Sequence, residues 1–562
     1  SNRRSAIREK FLFLSNRRSA IAENLLYLRL GESQKAIIES HFKDTYMKIT
    51  KFLFLALCGI AFTANAQDMK SGQKIAELGT TDNQTWNYLS TITSRFGGRL
   101  LGSSAYESAA AWLLNEFKKL GIEAHLEEAG EVPVGFERGP WFGKATGKEN
   151  FELHFATPSY TSGTAGRVKG HVVIEPQSQR EFEAIKGKVK GAWVLVGGTN
   201  GGWPIWLNEK EDSVRAVIKA ENAEIEKENQ EISAKARAEG KRPKPEEMRK
   251  PKKHPGLYAR ELLEAGALGF IQSTELPIRA LYDRAMVNDA KTTFDNLPTH
   301  CDIKLEAEQY DKVYAAVKSK QDIWLEFDIR NHFRLGPVKW HNVVATIPGT
   351  KNPEQTVIIS GHLDAYDAGT GAVDCGTGIG AMLGAANLIA RSGVKPKRTI
   401  KFVAFGGEEF GLLGAYAYCE KHKNELKNIV NLFNRDGGPT ACTGISVPEA
   451  WLKDIEKIAE PMKNLWDFEF KVEKAEPRRK ITQPGGTDAT VFGMNGVPCV
   501  ELRNQDYKGY GFDYGEIWHT ENDILNKSFQ DYMEQAATAT AIMAVGIATL
   551  DKPLPREGVY EK

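Results

Sequence analysis

At 562 residues the chain exceeds what one hydrophobic core usually supports, so at least two domains are expected. An apolar fraction of 41% and 26% charged residues describe an ordinary folded, water-soluble protein. The net charge of +1 gives no reason to expect nucleic acid or anionic lipid as a partner.

The chain opens with a repeat, SNRRSAI at Ser1 to Ile7 and again at Ser15 to Ile21, that no fold requires. Met47 then begins MKITKFLFLALCGIAFTANAQ. Lys48 and Lys51 form a basic start, Phe52 to Phe62 an apolar run, and Ala64-Asn65-Ala66 a small-residue cleavage site before Gln67, which is the layout of a secretory leader over 47–66. The apolar run is far shorter than the roughly 20 residues that span a bilayer, and Leu57 is too bulky for lipoprotein processing at Cys58. The expectation is a secreted or periplasmic protein with no membrane anchor after cleavage. Residues 1–46 then read as a non-native extension or an over-extended gene start. Export permits disulfides, but Cys301, Cys375, Cys419, Cys442 and Cys499 are a sparse and odd set, with at most one pair to be bridged.

Residues 67–163 begin the first domain. Ala109, Trp112, Leu113 and Phe117 recur at helical spacing, Gly121 stops that helix, and Ile122 to Leu126 alternates as a strand. Trp141 to Thr157 and Gly166 to Ile174 add strand-like runs. Residues 164–330 change character to short strands with glycine turns, the pattern of a β-rich domain inserted into a larger one. The stretch from Asn208 to Lys253 interrupts it with helix formers and little apolar surface, and is expected to be a solvated helical excursion.

Residues 331–562 alternate regularly. Strands are expected at Val343 to Ile347, Thr356 to Ser360, Thr399 to Phe405, Ile429 to Phe433 and Val497 to Leu502. Helices are expected at Ile379 to Arg391, Leu412 to Lys421, Pro448 to Ala459 and Phe529 to Leu550. This argues for an α/β three-layer sandwich with a largely parallel central sheet. Ligands of such sheets bind beyond the carboxyl ends of the strands. The polar residues found there are His362 and Asp364, then Asp374, the doublet Glu408 and Glu409, Asp436, and His519. Two histidines with several carboxylates, nitrogen and oxygen only, suit zinc, and a carboxylate bridging two ions is the usual two-metal arrangement. Each residue alone is a weak signal; their joint placement after successive strands is the argument.

The motifs GHLDAYDAGTGAVDCGTG, FVAFGGEEFGLLGA, NRDGG, GGTDATVF and WHTENDIL resemble those of the dizinc aminopeptidase and glutamate carboxypeptidase family of zinc metallopeptidases. The resemblance spans about Thr81 to Leu550 and is greatest, in layout, to the family's secreted dipeptidase branch. It implies the zinc exopeptidase fold, a protease-associated-like character for the inserted domain, and two zinc ions per chain. By motif, Asp374 bridges both ions, His362 and Asp436 complete one set of ligands, and Glu409 and His519 the other. Glu408 becomes the general base, adjoining a ligand without coordinating. The implied activity is that of an exopeptidase, aminopeptidase or dipeptidase, hydrolysing peptide substrates with a water activated by the two ions.

Asp364, two residues after a ligand histidine, is expected to accept the second imidazole N–H and so to assist catalysis indirectly. Asp488 and Asp523 are expected to support the ligands, with helix capping an equal alternative for Asp523. Arg503, Tyr507, Tyr510 and Tyr514 lie between a strand end and His519; Arg503, Tyr507 and Tyr514 are candidates to bind a substrate carboxylate, with packing the bland alternative. Cys375 stands where relatives have Asn or Asp and is expected to be an inert, inward-facing thiol. Ala489 stands where the family often has a histidine. Two readings compete: a single-zinc glutaminyl cyclase of the same fold, disfavoured by the complete ligand set, and a non-catalytic binding module, disfavoured because no ligand is lost. A homodimer is compatible with the sequence but not read from it.

Overall fold

Strand residues in the C-terminal half bury both of their faces, and this fixes the layering. The computed structural model describes residues 71–281, 287–289 and 291–561; the expected extension and leader lie outside them. In the strand Arg398–Phe405, Ile400, Phe402 and Ala404 join one core while Val403 and Phe405 join another. The first core takes in helices α1 (Thr85–Phe96), α2 (Ser104–Lys119), α3 (Thr377–Ser392) and α6 (Gln530–Thr549); the second takes in α4 (Leu413–Lys421) and α5 (Ala489–Met494). The sheet is therefore sandwiched between two helical layers, as expected.

That sheet contains β1 (Glu123–Val132), β2 (Val338–Ile347), β3 (Asn352–His362), β4 (Arg398–Phe405) and β5 (Ile429–Asn434), in the order β1-β2-β4-β3-β5. Its direction corrects the expectation of a largely parallel sheet. β4 and β5 flank β3 in parallel, but β1 pairs with β2 and β2 with β4 antiparallel. The reason lies in the connection 348–351 between β2 and β3. So short a link can reverse the chain but cannot carry a parallel crossover, which needs a dozen or more residues.

A second correction concerns Val497 to Leu502, which does not enter the sheet as a strand. Pro498 has no N–H to give a ladder, so beside one main-chain bond, from Leu432 N to the Pro498 carbonyl at 2.9 Å, the side chain of Asn431 on β5 holds the segment. Asn431 Nδ2 donates to the Val500 carbonyl at 3.0 Å, and Asn431 Oδ1 accepts from Val500 N at 2.9 Å. The chain becomes a strand only at Leu502–Gln505, in a separate three-stranded sheet with Ala441–Val447 and Lys471–Lys474.

Between β1 and β2 the chain builds an eight-stranded sheet from Trp141 to Ile329. Strands Val168–Ile174, Ala192–Thr199, Gly269–Thr274 and Cys301–Glu306 run parallel at its centre, with antiparallel partners on both sides. The strand Trp141–Gly147, which precedes residue 164, belongs to this sheet. The charged excursion is a helix, Glu209–Ala238, whose cap Asn208 accepts from Glu211 N and whose buried residues are Arg215, Asn222 and Ile225. All five cysteines from Cys301 to Cys499 are free and buried.

Edge strand β1 is tied to α4 through Glu127, which is buried and accepts from His422 Nε2 at 2.9 Å, with Lys421 Nζ at 3.4 Å. The bond to Glu127 raises the His422 pKa against the opposing effect of burial. A raised imidazole pKa means that the pair's contribution is full below about 6.5 and is lost as pH rises through the folded value. Glu127→Gln is expected to cost about 1.5–3 kcal/mol at mildly acidic pH, and less at alkaline pH. Urea unfolding at the two pH values checks this, and equal losses would rule out the linkage.

Candidate metal centre

The site forms where β3, β4 and β5 end. His362 is the last residue of β3, and its ring is buried. Asp374 sits in the irregular turn that leads into α3, Asp436 lies just beyond β5, and Glu408 and Glu409 follow β4. The glutamate doublet turns because Gly407 adopts φ +69° and because a Cβ on Gly406 would stand 2.0 Å from the Tyr106 hydroxyl. Gly411 and Leu412 N–H groups close that turn on the Glu408 carbonyl, and α4 begins only at Leu413. Glu408 is therefore not merely a first-turn acid of a helix.

The donor atoms converge. His362 Nε2 lies 3.1 Å from Asp374 Oδ1 and 3.2 Å from Asp436 Oδ1. His519 Nε2 lies 2.9 Å from Glu409 Oε2 and 3.5 Å from Asp374 Oδ2. Donors on a tetrahedral ion with bonds of 2.0–2.1 Å stand about 3.3 Å apart, which lies within the range of these separations. Asp374 thus turns one oxygen toward each histidine. The five residues suit zinc in donor type and in spacing.

Their electrostatics are those of crowded acids. Burial, with Glu409, Asp436 and Asp488 adding to it and His362 opposing, pushes the Glu408 carboxyl up to about 10. Glu409 is raised well above the carboxylate range by burial and by Asp374. Burial alone would lower the His362 pKa, but Cys375, Asp436, Asp364 and Asp374 outweigh it and raise it. Among the described residues the Glu408 carboxylate has no hydrogen-bond partner, so it is not committed to holding another group.

Several supports differ from the sequence reading. His362 Nδ1 donates to the main-chain carbonyl of Asp364 at 2.9 Å, which fixes the tautomer, while the Asp364 carboxylate stands 3.7 Å away. That carboxylate instead accepts from Glu408 N at 3.1 Å and Glu409 N at 3.2 Å, and so orients the doublet. Asp523 does not cap a helix: its Oδ1 accepts from Val373 N at 2.6 Å, and both oxygens lie 3.4 Å from Asp374 N. Asp488 is fully buried with neither oxygen hydrogen-bonded among the described residues, and burial raises its pKa well above the usual range. Cys375 is buried, its Sγ–H donates to the Arg435 carbonyl at 3.0 Å, and burial pushes its pKa up to about 11.

The expected carboxylate binders separate. Arg503 pairs with Glu473 at 2.6 Å, Tyr507 donates to Asp467 at 2.8 Å, and Tyr510 donates to Asp531 at 2.8 Å, so these side chains are engaged elsewhere. Tyr514 alone stays near the centre: burial raises its pKa, and Asp374 and Asp436 add to the shift. Three residues, Trp518, Tyr366 and Arg99, escaped the sequence reading. The expected His519 is held at φ +59°, a left-handed conformation that costs about 1–3 kcal/mol outside glycine, and its ring is clasped by Trp518 at 3.9 Å and Tyr366 at 4.3 Å. Arg99, buried in the turn between α1 and α2, donates to the carbonyls of Leu363, Gly97, Thr370 and Gly371, three of them in the ligand loop. The only cue to Arg99 was a charge set between Gly97-Gly98 and Leu100-Leu101.

Residues 342–544 match the family model for peptidase family M28, and every residue of the centre named as a ligand or base lies within that segment. Carboxypeptidase Q of Mus musculus is 30% identical over 265 residues, 46% of this chain and 52% of that protein. Carboxypeptidase Q of Rattus norvegicus is 33% identical over 220 residues, 38% of this chain and 43% of that protein. The chain therefore spans about half the length of the curated relatives it matches. A crystal structure of a peptidase M28 precursor from Shewanella amazonensis SB2B is 20% identical, with a TM-score of 0.52 over 87% of this chain and 99% of that one. This last likeness is one of fold. The resemblance drawn from the motifs stands.

If Asp523 fixes Asp374, Asp523→Ala should weaken zinc binding about 10–100-fold. Asp523→Asn, which keeps one acceptor, should weaken it less. Titration of the metal-depleted variants with zinc measures both, and an unchanged affinity in Asp523→Ala would show the clamp to be dispensable.

Proposed function

We propose that this chain is a dizinc exopeptidase, an aminopeptidase or dipeptidase acting outside the cytoplasm. The observation that carries the reading is the division of Asp374, with Oδ1 toward His362 and Oδ2 toward His519. The similarity of residues 342–544 to peptidase family M28 supports a hydrolase of the zinc metallopeptidase kind. His362, Asp436 and Asp374 would hold one ion, and His519, Glu409 and Asp374 the other. The ions would supply a Lewis acid for the peptide carbonyl and acidify a water, and their charge would reverse the upward pressure on the neighbouring carboxyl pKa values.

The chain's own contribution is orientation and proton transfer. Asp364 holds the backbone of the Glu408–Glu409 turn, so that Glu409 faces His519 and Glu408 remains uncommitted. The Glu408 carboxylate takes a proton from the attacking water and returns it to the leaving amine. Tyr514 is the one member of the expected carboxylate-binding group that remains a candidate for contact with the substrate's free terminus. The sheet built from 141–329 is read as a protease-associated-like insert, because it enters between β1 and β2 of the peptidase sheet. Secretion or a periplasmic location rests on the leader at 47–66, and a homodimer remains the assembly to test.

Glu408→Gln should lower turnover by at least about 10²–10⁴-fold while two zinc ions stay bound; near-normal rates would remove Glu408 from its role. Metal analysis separates the readings, since two ions per chain favour the peptidase, one a glutaminyl cyclase and none a binding module. Assays on dipeptides, N-blocked peptides and C-amidated peptides should fail for whichever class lacks the terminus required. Hydrolysis of all three classes would contradict an exopeptidase.

A further inference from the structure

The two halves of the centre are not chemically alike. Around His519 the donors are Glu409 and the shared Asp374, all nitrogen and oxygen. Around His362 a sulfur enters: Cys375 Sγ, a ring nitrogen of His362 and a carboxylate oxygen of Asp436 all lie within 4.8 Å of one another. The sulfur is fully buried, so it does not serve solvent. Its space is kept open by Gly378, where an added Cβ would stand 2.4 Å from Sγ and 2.2 Å from the Arg435 carbonyl. That carbonyl, one residue before Asp436, now accepts the thiol hydrogen at 3.0 Å.

We propose that Cys375 is a sulfur donor to the ion held by His362 and Asp436, making one zinc site N/O/S and the other N/O. The inference rests on the dizinc reading above and deepens it. A zinc with a sulfur bond near 2.3 Å and nitrogen or oxygen bonds near 2.0–2.1 Å holds those donors about 3.4–3.6 Å apart. The 4.8 Å bound on the trio therefore leaves about an ångström of side-chain movement to close. On coordination the Sγ–H bond breaks, the electron pair stays on sulfur as the Zn–S donor pair, and the proton leaves to solvent. Cys375 keeps its oxidation state. A thiolate donor makes this position the one that prefers softer ions, so the two ions differ in exchange and in selectivity.

X-ray absorption at the zinc edge of the full, zinc-loaded chain tests this without reference to activity. A sulfur shell near 2.3 Å, about half a sulfur per zinc when both sites are filled, is expected beside the nitrogen and oxygen shell. Cys442→Ser should keep that shell, because Cys442 is engaged with Arg435 and Asn504. Cys375→Ser should lose it, together with at least about tenfold of the preference for cadmium over zinc. Bound zinc with a nitrogen and oxygen shell alone, or a sulfur shell that disappears in Cys442→Ser, overturns the proposal and leaves the dizinc reading intact. A chain that retains no zinc overturns both. The spectra of the unmodified chain and of Cys442→Ser decide the matter even if Cys375→Ser does not fold.

Discussion

The carboxyl groups of Asp364, Asp374, Glu409, Asp488 and Asp523 are buried around two imidazoles, with Asp436 and Glu408 at the rim, and that crowding of like charge is the constraint on which the site depends. Burying a carboxylate without a partner is costly, and neutralisation is the ordinary escape. The raised pKa values of Glu408, Glu409, Asp488 and Asp523 express that pressure. Arg99 adds a buried guanidinium nearby but directs its donors to carbonyl oxygens, not to the acids. A cluster of this composition is stable in its ionised form when dications occupy its middle.

Holding such a cluster in register takes fixed backbone as well as ligands. Asp364 grips the turn after β4, Asp523 grips the turn before α3, and Arg99 grips the loop after β3, so each of these three segments is tied by a residue from another segment. Arg99 lies far outside residues 342–544, the span of the family match. The centre therefore depends on the N-terminal helices, although these supply no ligand.

The legibility of the sequence followed the range of the interactions involved. β3, α3 and β4 could be read because their periodicity and flanking glycines are local, and His362, the Glu408–Glu409 doublet and Asp436 could be singled out because they stand at or just past strand ends. Sheet direction was harder, since it is a property of neighbours; the short link 348–351 held the clue that β2 and β3 run in opposite senses. Val497 to Leu502 had strand composition, but Pro498 and the side chain of Asn431 decided its state, and the second of these lies 69 residues from Val500. Arg503 and Tyr507 found partners 30 and 40 residues away, at Glu473 and Asp467, which no local pattern announces. Asp364 was placed correctly beside the imidazole but given the wrong atom, because spacing cannot separate a carbonyl from a carboxylate.

The grip of Asp523 on the turn that carries Asp374 has a bearing on biogenesis. Val373 and Asp374 are made about 150 residues before the carboxylate that holds their N–H groups, and His519 is made almost as late. A nascent chain that has presented His362, Asp374, Glu409 and Asp436 still lacks the His519 imidazole and the clamp on the Asp374 backbone. On the dizinc reading proposed above, the full donor set therefore exists only once the C-terminal segment has been made.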